Sequence, residues 1–146
     1  MASGHFHPTK EALIHTVLEL LETQSVDVIS SDEVLEKSGI SKGSMYHHFE
    51  DLQELVETAQ LARYAKWIDV SIEFMTSAVI SAKSKPELRE SMVKLTEFTQ
   101  ADERKGARAE RARALAACFE NPRMAKQMGQ ETQRLTDAIT DVVEEV

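Results

Sequence analysis

Residues 41–49 of this 146-residue chain have the sequence SKGSMYHHF. In a helix, which turns by about 100° per residue, Met45 and Phe49 lie on one face, and Gly43 and His47 lie on the opposite face. The first face is apolar and suits a core, whereas the second offers polar groups and leaves open space at its glycine. A Gly-Ile pair directly before this stretch is typical of the turn in a helix-turn-helix. The second helix of that motif is the one that enters a DNA groove.

Composition favours an all-α protein. The chain is 42% hydrophobic with only five Gly and three Pro, which predicts long uninterrupted helices. It has no 18-residue apolar run and no signal peptide, so we expect a cytoplasmic protein with no membrane partner. Cys118, the one cysteine, cannot form an internal disulfide and is most simply a small buried apolar residue.

Charge is the feature that argues against DNA binding. The net charge is −8, and residues 1 to 60 carry all of it, with three basic residues and eleven acidic ones (3 − 11 = −8). DNA-binding proteins draw much of their affinity from Lys and Arg side chains that release counterions at phosphates. The motif and the local charge therefore disagree.

Capping signals predict the helices of the N-terminal part. Residues 1–8 have no periodicity and are expected to be a flexible arm or a cloning remnant, and we expect no metal at its two histidines. The first helix starts at Pro8-Thr9 and runs to about Gln24. Ser30 and Glu33 form a capping box for a short second helix that stops at Gly39.

The rest of the chain is predicted to be helical as well. Asp51 is a good N-cap for a helix of about thirty residues. Ser84 and Glu87 cap the next helix, and Asn121-Pro122 starts the last one, whose apolar stripe continues to Val146. Between these two helices, five basic residues alternate with Ala and Glu, which favours a solvated helix face over a nucleic-acid site. They are Arg104, Lys105, Arg108, Arg111 and Arg113.

Residues 9–55 resemble the DNA-binding domain of the TetR/AcrR family of bacterial transcriptional repressors, and the sequence GISKGSMYHHF at 39–49 is close to that family's signature. The resemblance implies that the third helix enters the major groove. It also implies groove or base contacts from Lys42, Gly43 and His47. Phosphate contacts are implied for Ser30, Ser31, Ser44, Tyr46 and His48.

Some features depart from the family pattern. Asp32, Glu50 and Leu52 stand where the family often has basic residues. The family also has two further helices that form a dimer interface, whereas this sequence ends at Val146. Either those helices lie outside this sequence or the dimer is built differently.

Residues 56–146 are predicted to form a helical ligand-binding and dimerisation domain. Large apolar residues on several helices could line a pocket for an apolar effector or simply fill a core. The candidate lining residues are Trp67, Phe74, Met75, Phe98, Phe119 and Met128.

Two functions remain open from the sequence. The first is a homodimeric repressor that binds a palindromic operator in double-stranded DNA and is released by a small apolar ligand. The alternative is a helical interaction module that keeps the fold and has lost operator binding. The sequence contains no nucleophile–base pair, phosphate loop or metal-spaced cluster, so we expect neither an enzyme nor a bound cofactor.

Overall fold

A computed structural model describes residues 7–144, and every regular element in that range is helical. The all-α fold class is confirmed. The helices are α1 (Pro8–Thr23), α2 (Ser31–Ser38), α3 (Lys42–His48), α4 (Leu52–Ser81), α5 (Lys85–Gln100), α6 (Lys105–Ala117) and α7 (Pro122–Glu144), with short 3-10 turns at Val26–Val28 and Asp102–Arg104.

Local capping explains where the first helices begin. The imidazole of His7 accepts a hydrogen bond from the Thr9 amide at 3.3 Å, so α1 starts one residue before the predicted domain boundary. Ser30 accepts from the Glu33 amide at 3.2 Å, which confirms the predicted cap of α2. The second half of the predicted capping box is replaced, because the Glu33 carboxylate accepts from the Gln24 side-chain amide.

Helix α4 is the longest element and also begins as predicted. The Glu54 amide donates to Asp51 Oδ1 at 2.8 Å, which satisfies one of the free amides of the first turn. The helix then continues for 30 residues. Within residues 7–144, no helix is long and apolar enough to span a membrane.

The chain divides into two compact units, the first reaching Arg63 and the second starting at Tyr64. Helix α4 contributes residues to both units. The core of unit 1 contains apolar residues of α1 to α4 and of the segments between them that are less than a tenth exposed: Leu13, Ile14, Val17, Leu20, Leu21, Ile29, Val34, Met45, Phe49, Leu55, Val56 and Ala59.

In unit 2, side-chain hydrogen bonds join α4 to α7. The Tyr64 hydroxyl lies 2.8 Å from the Thr132 hydroxyl. Arg134 of α7 pairs with Asp69 of α4 at 2.5 Å and with Glu131 at 2.6 Å. Met124 and Met128 are buried on the first half of α7.

Of the five basic residues around α6, Arg104, Lys105 and Arg113 are exposed as predicted, whereas Arg108 and Arg111 are partly buried. Arg108 donates to the carbonyls of Thr99 and Ala101 at 2.8 Å. The guanidinium of Arg111 lies 4.7 Å from the centre of the Trp67 ring. The alternation of basic residues with Ala and Glu predicted that all five would face solvent. Arg108 and Arg111 depart from this because a guanidinium can donate to backbone carbonyls or stack on an aromatic ring that packs beside it.

Candidate nucleic-acid interface

Helix α3 is fixed to unit 1 through its inner face. Met45 is fully buried. Phe49, which was predicted to lie in the helix, is instead the extended residue that directly follows α3, and it is also buried at 2% exposure. The Ser41 hydroxyl caps the helix by accepting from the Ser44 amide at 3.2 Å. Gly39 has a φ of 68°, the left-handed conformation that glycine adopts without a Cβ clash. This turn sets the direction in which α3 leaves α2.

The outer face of α3 is exposed. Lys42, Gly43, Tyr46 and His47 are all exposed, while Ser44 is partly buried. A Cβ atom added at Gly43 would meet nothing within 4 Å. Packing within this chain therefore does not require a glycine there, and its small size leaves room for a partner's surface.

The serines at the start of α2 offer further hydroxyl groups. Ser30 is exposed at the N-cap, with its oxygen close to the first turn of the helix, and Ser31 is partly buried. Amides of a helix start and a neighbouring hydroxyl favour an anion such as a phosphate. Asp32 is exposed beside them and opposes such an anion.

A group of imidazoles lies where α3 ends. The ring centres of His7 and His48 are 4.9 Å apart, and those of His47 and His48 are 5.1 Å apart. Lys10 Nζ lies 5.1 Å from the centre of the Phe49 ring. Partial burial, together with repulsion from His7, His47 and Lys10, holds the pKa of His48 below its ordinary value.

Sequence patterns did not place His7 and Lys10 near α3. Residues 1–6 of the predicted arm lie outside the described residues, but Pro8 in the first turn of α1 identifies residue 7 as the N-cap. That signal was present in the sequence. No sequence pattern, however, indicated that His7 contacts His48, which lies about forty residues later in the chain.

A family comparison identifies the N-terminal part of the chain. Residues 13–59, which include α2, α3 and their turn, match the model of the bacterial regulatory proteins of the tetR family. Residues 13–59 of this chain therefore form a domain of the tetR family. The predicted relationship is thus confirmed.

A solved structure shares the fold of this chain over most of its length. It is that of a candidate transcriptional regulator from Streptomyces coelicolor A3(2), with a TM-score of 0.67. The two are 16% identical, and the similarity covers 92% of this chain and 75% of that one. At this identity, the similarity shows the fold. No curated protein matches the sequence.

The six candidate ligand-pocket residues have different environments in unit 2. Met128 is buried at 1% exposure, whereas Phe119 is 93% exposed. Phe98 is about half exposed, and the Arg104 guanidinium lies 3.7 Å from the centre of its ring. The other three are partly buried or exposed: Trp67, Met75 and Phe74.

A groove between α4 and α7 has a volume of about 480 Å³ and a different lining. It contains none of the six predicted residues, and five of its seven lining residues have polar or charged side chains. Its lining residues are Ile72, Gln130, Gln133, Arg134, Asp137, Ala138 and Asp141. Within residues 7–144, no group of three or more His, Cys, Asp or Glu side chains is arranged to hold a metal ion.

Proposed function

We propose that this regulatory protein is a transcriptional repressor that binds operator DNA through α3. The observation that carries the proposal is the division of α3 between two faces. Met45 and Phe49 are buried, while Lys42, Tyr46 and His47 are exposed around an open glycine. A helix held in this way can enter a major groove without disturbing its own core.

The individual contacts follow from the chemistry of the exposed groups. Lys42 and His47 can donate to base edges or phosphates, and Gly43 allows close approach. Hydroxyls and imidazoles at Ser30, Ser31, Ser44, Tyr46 and His48 suit phosphate oxygens, which position the protein and carry no direct sequence information.

A homodimer on a palindromic site is the expected arrangement. Two copies of α3 would reach successive major grooves about 34 to 36 Å apart. Each subunit offers few lysines near α3, so the slope of log K against log salt should be shallow, about −3 to −6. The predicted cytoplasmic location is part of this proposal.

Release by a small effector is the regulatory half of the proposal. The name of the Streptomyces coelicolor relative describes transcriptional regulation and specifies no effector. An apolar effector bound among the large residues of unit 2 would contact α4 near Trp67. Because α4 also contributes Leu55 to the core of unit 1, a shift of this helix could change how α3 is presented.

Selection of bound duplexes from a random library, followed by titration of the best sequence, tests the proposal. An enriched palindrome bound much more tightly than scrambled DNA is the expected result. The acidic balance of residues 1 to 60 favours one competing function, an interaction module without operator binding. Selection without enrichment, at low salt and with folded protein, would support that alternative.

A further inference from the structure

Unit 1 has few fixed positive charges for a DNA-binding surface. Among residues 1 to 60, only Lys10, Lys37 and Lys42 are permanently cationic. Lys37 is 3.4 Å from Glu19 of α1, which already offsets its charge. All five histidines of the chain, in contrast, lie in its first 48 residues. Histidines are therefore the main additional source of positive charge in this unit.

Four of these basic side chains form one group, which we call the histidine cluster: His7, Lys10, His47 and His48. The imidazole of His48 lies between the other two, with ring centres 4.9 Å from His7 and 5.1 Å from His47. Lys10 stands one turn along α1 from His7, above Phe49. The cluster joins the first turn of α1 to the last turn of α3.

We infer that the histidine cluster binds a backbone phosphate of DNA and so extends the interface from α3 onto the start of α1. The inference rests on the proposed function of α3. It adds two residues, His7 and Lys10, that the helix-turn-helix itself does not contain. Phosphate fits because the cluster brings one ammonium and three imidazoles, all of which can donate hydrogen bonds, close to one another.

The hydrogen bonding of His7 supports donation to an anion. Its Nδ1 accepts from the Thr9 amide at 3.3 Å, which assigns the ring proton to Nε2 when the imidazole is neutral. That N–H remains a donor. The same bond keeps Nδ1 from serving as a metal ligand, so a phosphate suits this site better than a cation.

The carboxylates that lie close to the cluster in sequence are exposed or cap a helix. Glu11 is exposed in the first turn of α1. Asp51 accepts from the Glu54 amide at 2.8 Å, and Glu54 accepts from the Glu50 amide at 2.6 Å, so these carboxylates cap the start of α4. The remaining titratable or charged groups of α3 are the Tyr46 phenol and the Lys42 ammonium.

Binding of a phosphate would oppose the effects that disfavour a charged His48. Partial burial and neighbouring positive charge hold the pKa of His48 below its ordinary value in the free protein. A phosphate adds negative charge and favours the imidazolium. The gain in affinity is then complete below the pKa of the free protein and is lost as pH rises through the pKa of the complex. DNA binding should therefore strengthen as pH falls.

The test measures the affinity for a selected duplex at about pH 6 and pH 8, at constant ionic strength. We expect binding to be roughly tenfold tighter at the lower pH. The slope of log K against log salt should also be steeper there, by about one for each additional phosphate neutralised. A purely structural role for the cluster would not change this slope.

Three variants locate the effect. His7→Asn keeps a side-chain acceptor for the Thr9 amide, and His48→Gln keeps a polar side chain that does not titrate. Both should reduce the pH 6 to pH 8 affinity ratio and the change in salt slope. His15→Asn is the matched control, because His15 is exposed on α1 and lies 3.6 Å from Glu19. It should retain the wild-type ratio.

The outcomes separate this inference from the proposed function. If the wild-type protein binds no duplex at either pH, both are wrong. If it binds a duplex and both cluster variants keep the wild-type pH ratio and salt slope, only the inference is overturned. Should His48→Gln fail to fold, NMR titration of the wild-type imidazoles decides. A raised His48 pKa on addition of duplex supports the inference, and an unchanged pKa overturns it.

Discussion

Lys10 Nζ lies 5.1 Å from the centre of the Phe49 ring, and this contact ties the first turn of α1 to the end of α3. Phe49 itself is 2% exposed. Its ring therefore supports the cation on one side and fills the core of unit 1 on the other. Helix α3 is thus held at its C-terminal end by a buried aromatic residue.

Phe49→Ala should destabilise unit 1 by about 3 to 5 kcal/mol, because it leaves a cavity in the core. Chemical denaturation followed by circular dichroism measures the change. Phe119→Ala is the control, since Phe119 is 93% exposed and its loss should change stability by less than about 0.5 kcal/mol. Equal effects of the two substitutions would contradict the assigned role of Phe49.

The glycines on either side of Ser41 should respond in opposite ways to alanine. Gly39→Ala should cost about 1 to 2 kcal/mol, because its φ of 68° strains an L-residue. Gly43→Ala should stabilise the fold by about 0.5 to 1 kcal/mol, because Gly43 is helical and a Cβ there meets open space. Thermal denaturation of both variants tests the pair.

Gly43→Ala should at the same time weaken DNA binding. An extra methyl in a close contact costs about 1 to 3 kcal/mol, and this glycine is on the face proposed to approach the groove. Titration of a selected duplex measures the loss. A variant that gains stability and keeps wild-type affinity would show that Gly43 is not at the interface.

Tyr46→Phe should lower DNA affinity by about 0.5 to 1.5 kcal/mol on all sequences, because it removes one phosphate hydrogen bond. Tyr46 is 43% exposed, so the fold should persist.

Lys42→Ala should lower DNA affinity and also make the slope of log K against log salt shallower by about one per subunit. Lys37→Ala is its control, since Lys37 pairs with Glu19. Unchanged affinity in both Tyr46→Phe and Lys42→Ala would exclude the proposed contacts.

The apolar stripe of α7 is buried in its first half and more exposed in its second half. Met128 is 1% exposed, whereas Leu135 and Val142 are partly buried and Ile139 is 37% exposed. If the exposed half is dimer surface, Leu135→Arg and Ile139→Arg should each give folded monomers in sedimentation. Met128→Arg should instead unfold unit 2, because it buries an unpaired charge. Wild-type protein that sediments as a monomer even on operator DNA would contradict the dimer.

The effector proposal predicts reciprocal coupling between ligand and DNA. Trp67 has the Arg111 guanidinium 4.7 Å above its ring, so its emission should report changes in unit 2. Titrations of apolar compounds with and without operator should differ in affinity by about 5- to 150-fold, which corresponds to a coupling of 1 to 3 kcal/mol. Compounds that bind equally well in both titrations would assign the site no regulatory role.

Helix boundaries were largely predictable because their causes are local. Asp51 and Ser30 each cap a helix through an amide three residues away, and such bonds depend on sequence spacing alone. The burial of Met45 followed in the same way from helical periodicity, whereas Phe49 is buried from the extended residue that directly follows α3. The predicted identity of the DNA-contacting residues rests on this local geometry and stays a prediction.

The sequence by itself thus determined an all-α chain, its capped helices and the two faces of α3, since short-range hydrogen bonds and helical periodicity govern them. Only the tertiary structure decided which large apolar residues are covered. Met128 is buried while Phe119 is exposed, and periodicity cannot distinguish them. It likewise decided that His7 meets His48 and that Arg111 covers Trp67. These contacts join residues far apart in the chain, and their formation depends on how whole helices pack.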